Sequence, residues 1–229
     1  MPIVVRHLAE LTTDDLVDRW DVAVVIDVIR AFTTAPWILR QGASRLFLAP
    51  NAEAAVAAQT CEFPESILVK DGPPDPRFAF HNAPGRIAHE DLAGRIVILA
   101  TGNGTRGAYA VRGARKVLCA SFANAAATAR ALSDRDRILL VPTEGDEDQA
   151  LADYLIHAIG AQEAPAAEPF LERVRSSKAG VECRTRGLDA SFPGVDPDDL
   201  DRCLEIDAFD FAIGLEQAGT LLEARPITQ

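Results

Sequence analysis

The sequence predicts a layered α/β fold built around a largely parallel sheet. Short β-rich runs alternate with alanine-rich helical runs over the first two-thirds of the 229 residues, which is the order that α/β layers require. Several β-rich runs are continuously apolar, and this is typical of parallel strands that are covered on both faces. A strand–helix–strand–helix unit also occurs twice in this part of the chain.

Six strands and five helices are predicted before residue 160. Thr34 ahead of Pro36 and Asn51 ahead of Ala52 are suitable helix N-caps, and Gly42 stands where a helix C-terminal glycine belongs. The predicted strands are residues 22–27, 45–49, 67–69, 95–100, 116–120 and 138–141, and the predicted helices are residues 36–41, 52–60, 106–112, 123–132 and 149–159.

A gap-free comparison of residues 22–60 with residues 93–131 predicts an internal duplication of a strand-loop-helix unit. The matched positions are Gly42 with Gly113, Thr34 with Thr105, and residues 25–26 with residues 96–97. The loops after the first strand of each unit are then equivalent. Both are predicted at the carboxyl ends of strands, where open α/β sheets bind ligands.

The chain changes character after residue 160. Helices are predicted over residues 169–177 and 196–204, with a glycine-containing loop between them. A terminal strand pair over 209–215 and 220–224 is predicted to turn at Gly219. We therefore predict an α/β core over residues 1–160 and a C-terminal segment, residues 161–229, that completes the same fold.

The composition argues against several classes of protein. A formal net charge of −11 disfavours a nucleic-acid binder, because phosphate neutralisation needs clustered Lys and Arg. A small anion can still be bound by a few arginines and backbone N–H groups. The four cysteines form no C-x-x-C pair, so neither a cysteine zinc site nor a disulfide framework is expected. Without a signal-peptide pattern or a bilayer-spanning apolar run, the sequence predicts a cytoplasmic protein with no membrane partner.

The loop from Asp27 to Thr34, D-V-I-R-A-F-T-T, is the first candidate site. An acid ends a buried strand, Arg30 follows it, and the hydroxyls of Thr33 and Thr34 precede a predicted helix. Mg²⁺ takes carboxylates and waters and often bridges to phosphate, so this loop could hold both a metal and a phosphate. The structural alternative is that Asp27 caps a turn while Arg30 pairs with a surface acid.

The second candidate is I-L-A-T-G-N-G-T-R-G, residues 98–107, which matches G-x-G-x-x-G directly after a predicted strand. Gly102 and Gly104 allow close backbone approach, and Thr105 is predicted to cap the next helix. Helix N-terminal N–H groups and Arg106 could then bind an anion. A nicotinamide site also needs an acid at the end of the following strand, and none is present. The stretch therefore predicts a phosphate turn, with a tight turn that binds no ligand as the alternative.

Two further segments are candidates. Residues 142–148, P-T-E-G-D-E-D, could add carboxylates to a metal site, with Asp153 about one helical turn beyond. The alternative is that these acids only stabilise the helix dipole. Residues 70–90 form a long proline-rich segment that contains His81, and loops of this length are often functional.

Five motifs occur in an order that is found in one known family. They are D-V-I-R-A-F-T-T from Asp27, H-N-A-P from His81, T-G-N-G-T-R from Thr101, V-P-T-E-G from Val141 and C-L-E-I-D-A-F-D from Cys203. With these motifs the chain resembles the 2-phosphosulfolactate phosphatase family, Mg²⁺-dependent enzymes of the coenzyme M pathway. The resemblance runs from about residue 20 to the carboxyl terminus.

The chain departs from the family pattern at four positions. Asp71 keeps an acid where the family has a G-E-R-G-G-like segment, but the arginine and the glycine pair are absent. Ala152 stands in place of an acid next to Asp153, and Ala83 stands in place of a serine next to Asn82. Gly102 stands where the family tends to carry threonine.

The resemblance implies a three-layer α/β/α fold and hydrolysis of a small acidic phosphate monoester similar to 2-phosphosulfolactate, with Mg²⁺ as the cofactor. A homodimer is also possible on this interpretation, because the acidic C-terminal segment could pack between subunits. The implied catalytic residues are Asp27 and Arg30, the metal ligands are Asp27, Asp71 and Asp153, and the substrate-binding residues are Thr33, Thr34, Asn82, Asn103, Gly104, Thr105 and Arg106.

Two other functions stay open at this point. The missing acid at Ala152 and the altered segment around Asp71 suggest a non-catalytic anion-binding or regulatory protein that has lost metal ligands. A nicotinamide-dependent enzyme is a third, weaker alternative because the ribose-binding acid is missing.

Overall fold

Strands and helices largely alternate up to residue 158, and three further helices and two strands follow. The structure is a computed structural model that describes residues 2–12 and 20–228. Within these residues there are ten strands: β1 (Ile3–Val5), β2 (Val22–Ile26), β3 (Arg45–Leu48), β4 (Ile67–Lys70), β5 (Phe80–His81), β6 (Ile96–Ala100), β7 (Val117–Ala120), β8 (Ile138–Pro142), β9 (Ala212–Ala218) and β10 (Leu221–Ile227). The same residues form nine α-helices: α1 (Ala31–Arg40), α2 (Ala52–Cys61), α3 (Pro84–Ile87), α4 (Gly104–Ala110), α5 (Ala125–Leu132), α6 (Gly145–Ala158), α7 (Glu168–Ser176), α8 (Lys178–Gly187) and α9 (Asp199–Leu204).

All ten strands belong to one sheet, in the order β1-β8-β2-β7-β9-β10-β3-β6-β4-β5. The first four strands pair in parallel, and so do the last four. Between these two halves, the hairpin of β9 and β10 pairs antiparallel with β7 on one side and β3 on the other. The C-terminal hairpin therefore lies in the middle of the sheet and joins its halves.

The two parallel halves run in opposite directions, because three successive antiparallel pairings separate β7 from β3. Neighbouring strands rotate by about 20–25°, so the five steps from β2 to β6 accumulate roughly 100–125° of twist. This rotation turns the carboxyl ends of β2 and β6 back towards each other. The helices that follow these strands, α1 and α4, are in contact.

Helices cover both faces of the sheet. On one face, α1, α3 and α4 pack against Ala23 and Val25 of β2. On the other face, α5, α6 and α7 pack against Val22, Val24 and Ile26 of the same strand, and α2 covers the second half. Successive residues of β2 thus enter opposite layers while all are buried, which explains the continuous apolar run. The three-layer α/β/α fold with a largely parallel sheet is confirmed.

The six strands predicted before residue 160 agree with the structure to within one residue at each end. Two predicted caps are also confirmed: Asn51 Oδ1 accepts a hydrogen bond from Ala54 N at 2.9 Å, and Gly42 has a φ of 88° directly after the last turn of α1. The predicted terminal strand pair exists as β9 and β10, although both strands extend further towards the carboxyl terminus.

Three local predictions are wrong. The helix predicted from Pro36 begins at Ala31, so Thr34 lies inside α1 and its hydroxyl donates to the Arg30 carbonyl at 3.0 Å. Thr105 likewise lies inside α4 and does not cap it; instead the Thr101 hydroxyl accepts a hydrogen bond from Thr105 N at 3.1 Å. The segment after α7, which the sequence predicted as a loop, contains α8.

The two predicted repeat units follow the same order, β2-α1-β3-α2 and β6-α4-β7-α5, and they exchange strands, because β2 pairs with β7 and β3 with β6. The loop between the first strand and the first helix is residues 27–30 in the first unit but only residues 101–103 in the second. The gap-free alignment is therefore wrong at the first strands. The duplication, and the boundary at residue 160, stay predictions.

Candidate active site at two converging strand ends

The loops after β2 and β6 meet at Asp27. Its Oδ1 accepts a hydrogen bond from Ala31 N at 3.0 Å, so the carboxylate lies at the first turn of α1. Gly104, the first residue of α4, approaches from the other loop. A Cβ atom on Gly104 would lie 2.6 Å from Asp27 Oδ2 and 2.6 Å from Ala31 Cβ, so only glycine permits this approach.

Asp148 fixes a third loop to the first. This buried carboxylate accepts a hydrogen bond from Val28 N at 2.8 Å through Oδ1. Its Oδ2 accepts from Thr143 N at 3.0 Å, Thr143 Oγ1 at 2.8 Å and Glu144 N at 3.0 Å. The sequence singled out residues 142–148 but not this residue. An acid in the first turn of a helix is the signal that could have identified it.

The segment after β4 supplies a fourth contact. Asp71 Oδ2 accepts a hydrogen bond from Gly102 N at 2.9 Å. Asn82, which follows β5, is buried, and its Oδ1 has no hydrogen-bond partner among the described residues. Asp71 therefore joins the group around the β6 loop, and Asn82 keeps a free acceptor.

Burial raises the pKa of Asp27 to about 7, and the negative charges of Asp71 and Glu147 act in the same direction. The backbone N–H groups of Ala31 and Gly104 partly oppose this shift. Burial also raises the pKa of Glu147. Several carboxyl groups thus lie in one poorly solvated region, which shifts the pKa values of Asp27 and Glu147. Shifted pKa values of this kind are common at functional sites.

A cavity of about 370 Å³ opens at this point. Its acidic lining residues are Asp27, Glu144, Asp146, Glu147, Asp148 and Glu182. The other lining residues include Asn103, Lys178 and Ile29. Glu147 is 4% exposed, its Oε2 has no hydrogen-bond partner in the described structure, and its carboxylate folds over Gly145, where a Cβ would collide with both oxygens.

The donor set fits Mg²⁺ if the substrate completes it. Within the described ranges, no group of three or more His, Cys, Asp and Glu side chains is arranged to hold a metal ion by itself. A hard cation would relieve both the orphaned Glu147 oxygen and the repulsion among Asp27, Asp71 and Glu147. Mg²⁺ is commonly held by one or two carboxylates together with waters and substrate phosphate oxygens.

Arg30 lies beside this group but is tied elsewhere. Its Nη1 donates to the Gly194 carbonyl at 2.9 Å and forms a buried ion pair with Asp199. Asp199 is fully buried and also accepts hydrogen bonds from Gly85 N and Asp196 N, each at 2.9 Å. Sequence reasoning missed Asp199. An acid in the D-P-D-D-L-D run was the only signal, and four acids there are equivalent by sequence.

The threonines of the two loops make internal hydrogen bonds. Thr33 Oγ1 donates to the Val28 carbonyl at 2.8 Å, and Thr34 Oγ1 donates to the Arg30 carbonyl as described. Thr105 Oγ1 donates to the Thr101 carbonyl at 2.8 Å. All three hydroxyl protons are therefore used in hydrogen bonds within the loops. A direct role in substrate binding stays a prediction for them.

Asn103 and Arg106 extend the site towards solvent. Asn103 Nδ2 donates to Glu144, which links the second and third loops. Arg106 is exposed, and its Nη2 lies 3.4 Å from Asn103 Oδ1. These two side chains form the more accessible part of the predicted anion site.

Asp153 is a predicted metal ligand that the structure does not bring to this group. Its Oδ2 pairs with Arg173 at 2.7 Å, its Oδ1 accepts from Gln149 at 2.7 Å, and it does not line the cavity. The described acids that face Asp27 are instead Asp71, Glu147 and Asp148.

Two exclusions concern the described residues as a whole. None of their helices combines the length and the apolar character that a membrane span needs. All four cysteines are free.

Comparisons with known proteins agree with the motif pattern. The family model described as 2-phosphosulpholactate phosphatase matches residues 7–217. A probable 2-phosphosulfolactate phosphatase of Bacillus subtilis is 28% identical over 207 residues, which cover 87% of this chain and 89% of that protein. One from Thermus thermophilus is 42% identical over 114 residues, which cover 48% of this chain and 46% of that protein. One from Thermoplasma acidophilum is 31% identical over 141 residues, covering 60% and 63%.

Proposed function

Because the chain belongs to the 2-phosphosulpholactate phosphatase family, we propose that it is a phosphoric monoester hydrolase acting on a small acidic phosphate ester similar to 2-phosphosulfolactate. The observation that carries the proposal is the buried Asp27 carboxyl at the start of α1, against which Gly104 brings the start of α4. The starts of α1 and α4 thus meet at one carboxyl group, which lines the cavity.

The accessible groups suit a phosphate. Asn103 and Arg106 supply amide and guanidinium donors. Arg30, held by Asp199 and Gly194, adds a fixed positive charge on the other side of the β2 loop. These groups would bind and orient the phosphoryl group, and orientation accounts for a large share of phosphoryl-transfer catalysis.

Asp27 is the proposed reacting carboxyl. A pKa of about 7 means that its protonated and ionised forms are both populated near neutral pH, so it can hold or release a proton during the reaction. A role as nucleophile or as metal ligand requires the ionised form, and a nearby cation favours that form. Both roles predict complete dependence on this carboxylate.

We further propose Mg²⁺ as the cofactor, held by Asp27 with Asp71 or Glu147. The bound cation would polarise the phosphoryl oxygens and offset their negative charge. Asp148 would then be a positioning residue, because its four hydrogen bonds fix the backbone at Val28 and Glu144 near Asp27. A place in the coenzyme M pathway, a cytoplasmic location, a homodimer and the absence of a nucleic-acid partner stay predictions.

The test is phosphate release from a panel of small phosphorylated acids, with Mg²⁺ and with EDTA. We expect release that EDTA abolishes and that Asp27→Asn lowers by a factor of about 1,000 or more. Asp134→Asn, at an exposed position outside the cavity, is the control and should retain the rate. Hydrolysis by Asp27→Asn at the wild-type rate would remove Asp27 from the mechanism.

A non-catalytic anion-binding protein is the second candidate. It is favoured by one observation: no three metal-ligating side chains of the described residues form a preformed metal site. Binding of these esters in calorimetry, with no phosphate release from any of them, would support that reading. A nicotinamide enzyme has no such support, because Ala120 and Ser121 at the end of β7 offer no carboxylate to a ribose.

A further inference from the structure

A separate cavity lies where α5 meets the carboxyl-terminal half of α6. Its volume is about 470 Å³, which is in the range of known small-molecule sites. Glu147 and Asp148 at the start of α6 line the acidic cavity, whereas Tyr154 and Ala158 of the same helix line this one. The two cavities share no lining residue. The other lining residues of this space, which we call the α5–α6 cavity, are Ala126, Ala129, Arg130, Ser133, Gly160, Ala161 and Ala164.

The lining of the α5–α6 cavity combines small apolar groups with one cation. Five of its residues are alanines, and Arg130 is the charged side chain beside them, with no Asp or Glu among the described residues of the wall. The chain as a whole carries a net charge of −11, so this lining differs from the average surface. Alanine methyl groups favour an apolar body, and a guanidinium favours an oxyanion.

Arg130 has donors to spare for a ligand. It is exposed, and its side chain makes one hydrogen bond in the described part of the chain, from Nη2 to the Asp210 carbonyl at 3.3 Å. The nearby Asp207 carboxylate is already engaged, since its Oδ1 accepts a hydrogen bond from Ala126 N at 2.6 Å. A guanidinium carries five N–H donors, so Arg130 can bind an anion without losing its present contact.

Tyr154 provides a second donor. The residue is 1% exposed, and its ring packs edge-on against Phe122 and Phe170, with ring centroids 5.8 Å and 5.5 Å away. Burial, together with the charge of Asp207, raises the pKa of Tyr154, so its hydroxyl stays protonated. That hydroxyl makes no hydrogen bond with a described residue. Because an unpartnered and largely buried hydroxyl costs free energy, an oxyanion in the cavity would stabilise it.

We propose that the α5–α6 cavity is a binding site for a small carboxylic acid with an apolar body of about the size of benzoate. The carboxylate would lie between the Arg130 guanidinium and the Tyr154 hydroxyl, and the apolar body would lie against the alanines. The site is separate from the candidate active site. The inference therefore does not depend on the proposed phosphatase function.

The test compares benzoate with benzyl alcohol, which has the same ring and no charge. Dissociation constants are measured by ligand-observed NMR on the full chain. We expect the wild type to bind benzoate with a Kd of about 1 mM or below, and benzyl alcohol about 10-fold or more weakly, the ratio that a charge-assisted hydrogen bond supports. Arg130→Gln should bring the two constants together. Arg135→Gln, an exposed arginine just after α5 that does not line the cavity, should keep the wild-type ratio.

Two further variants locate the ligand without disturbing the core. Tyr154→Phe removes only the unpartnered hydroxyl, so it should weaken benzoate binding by about threefold or more and leave the urea midpoint of unfolding no lower than that of the wild type. Ala161→Leu fills the cavity from an exposed position and should abolish benzoate binding in a protein with an unchanged circular dichroism spectrum.

The opposite outcomes are equally clear. Equal affinities of the wild type for benzoate and benzyl alcohol, or a benzoate affinity that Arg130→Gln leaves unchanged, would overturn the proposal. The absence of saturable benzoate binding up to about 10 mM would also overturn it, because binding that weak leaves no specific site. Benzoate that is displaced by inorganic phosphate and is unaffected by Ala161→Leu would lie in the acidic cavity instead, which also rejects the proposed site.

Discussion

The protonation of Asp27 depends on residues that are distant in sequence. The carboxyl is buried, it receives backbone N–H groups from Ala31 and Gly104, and the acids Asp71, Glu147 and Asp148 surround it. The D-V-I-R motif identified Asp27 as a candidate, but its altered pKa comes from burial and from carboxylates on two other segments. Residue identity was therefore predictable here, and residue chemistry was not.

Asp27 should make stability depend on pH. Its pKa is raised from 3.8 to about 7, so between these values the folded protein keeps a proton that the unfolded chain releases. Stability from this group therefore falls as pH rises from about 4 to about 7 and is flat above. Relative to wild type, Asp27→Asn should gain unfolding free energy on going from about pH 5 to about pH 8, measured by urea unfolding in EDTA. Asp134→Asn should show no such gain. If the unfolding free energies of Asp27→Asn and wild type differed by the same amount at both pH values, the raised pKa of Asp27 would be contradicted.

Asp199 should matter more to stability than the arginine it pairs with. Asp199→Ala leaves Arg30 buried without its partner and also removes the acceptor for Gly85 N and Asp196 N. We expect a loss of about 3 kcal/mol or more in the free energy of unfolding. Arg30→Met should cost less, because Asp199 keeps two backbone donors. Urea unfolding of both variants tests this order, and a larger loss for Arg30→Met would refute it.

At the scale of elements, the site is a contact between two helix starts. The first strand–helix unit brings Asp27 and the second brings Gly104, and neither loop makes a site alone. The sequence analysis placed the start of this helix at Pro36, because proline is common at the first helical position. That prediction is wrong. Here Pro36 is the sixth residue of α1, and the buried first turn from Ala31 outweighs the missing proline N–H.

Gly104 and Gly102 provide a matched pair for testing this contact. A Cβ at Gly104 would lie 2.6 Å from both Asp27 Oδ2 and Ala31 Cβ, whereas a Cβ at Gly102 would meet only Asp71 Oδ2, at 3.6 Å. Gly104→Ala should push α4 away from α1 and lower kcat/KM by about 100-fold. Gly102→Ala should change kcat/KM by no more than about twofold. Similar losses in the two variants would mean that close approach at Gly104 is not required.

At the scale of the whole molecule, the hairpin of β9 and β10 decides how the halves of the sheet are related. It lies between β7 and β3. One residue of its second strand accepts side-chain hydrogen bonds from β3. Glu223 of β10 receives two hydrogen bonds from Arg45 of β3, each at 2.9 Å. The sequence predicted the strand pair, but its insertion between two parallel halves depends on pairing partners about 100 or more residues away in the chain.

Removing the Glu223 carboxylate should weaken this joint in a pH-dependent way. Its hydrogen bonds with Arg45 lower the pKa of Glu223 from 4.5 to about 2, so the pair stabilises the fold above about pH 4.5, and this contribution is lost as pH falls towards 2. Glu223→Gln should cost about 1 kcal/mol at neutral pH, with the difference from wild type narrowing below about pH 4 in urea unfolding.

The control for that variant is Glu216→Gln in β9. Its carboxylate lies 3.1 Å from Arg225, and both side chains are more than half exposed. A change within about 0.5 kcal/mol is expected at any pH. Equal losses for Glu216→Gln and Glu223→Gln would show that the bond between β10 and β3 has no special part in joining the halves.

The sequence by itself determined the layered α/β class, the six strands of the first part and the family, together with the loops that carry Asp27, Arg30, Asn103 and Gly104. Local apolar runs and short motifs are enough for these, because each is a property of neighbouring residues. Only the tertiary structure decided that Asp148, Glu147 and Asp199 serve these loops and that Asp153 pairs with Arg173. Those facts depend on a twisted sheet whose halves run in opposite directions, and the pairing that produces it joins segments that no local pattern connects.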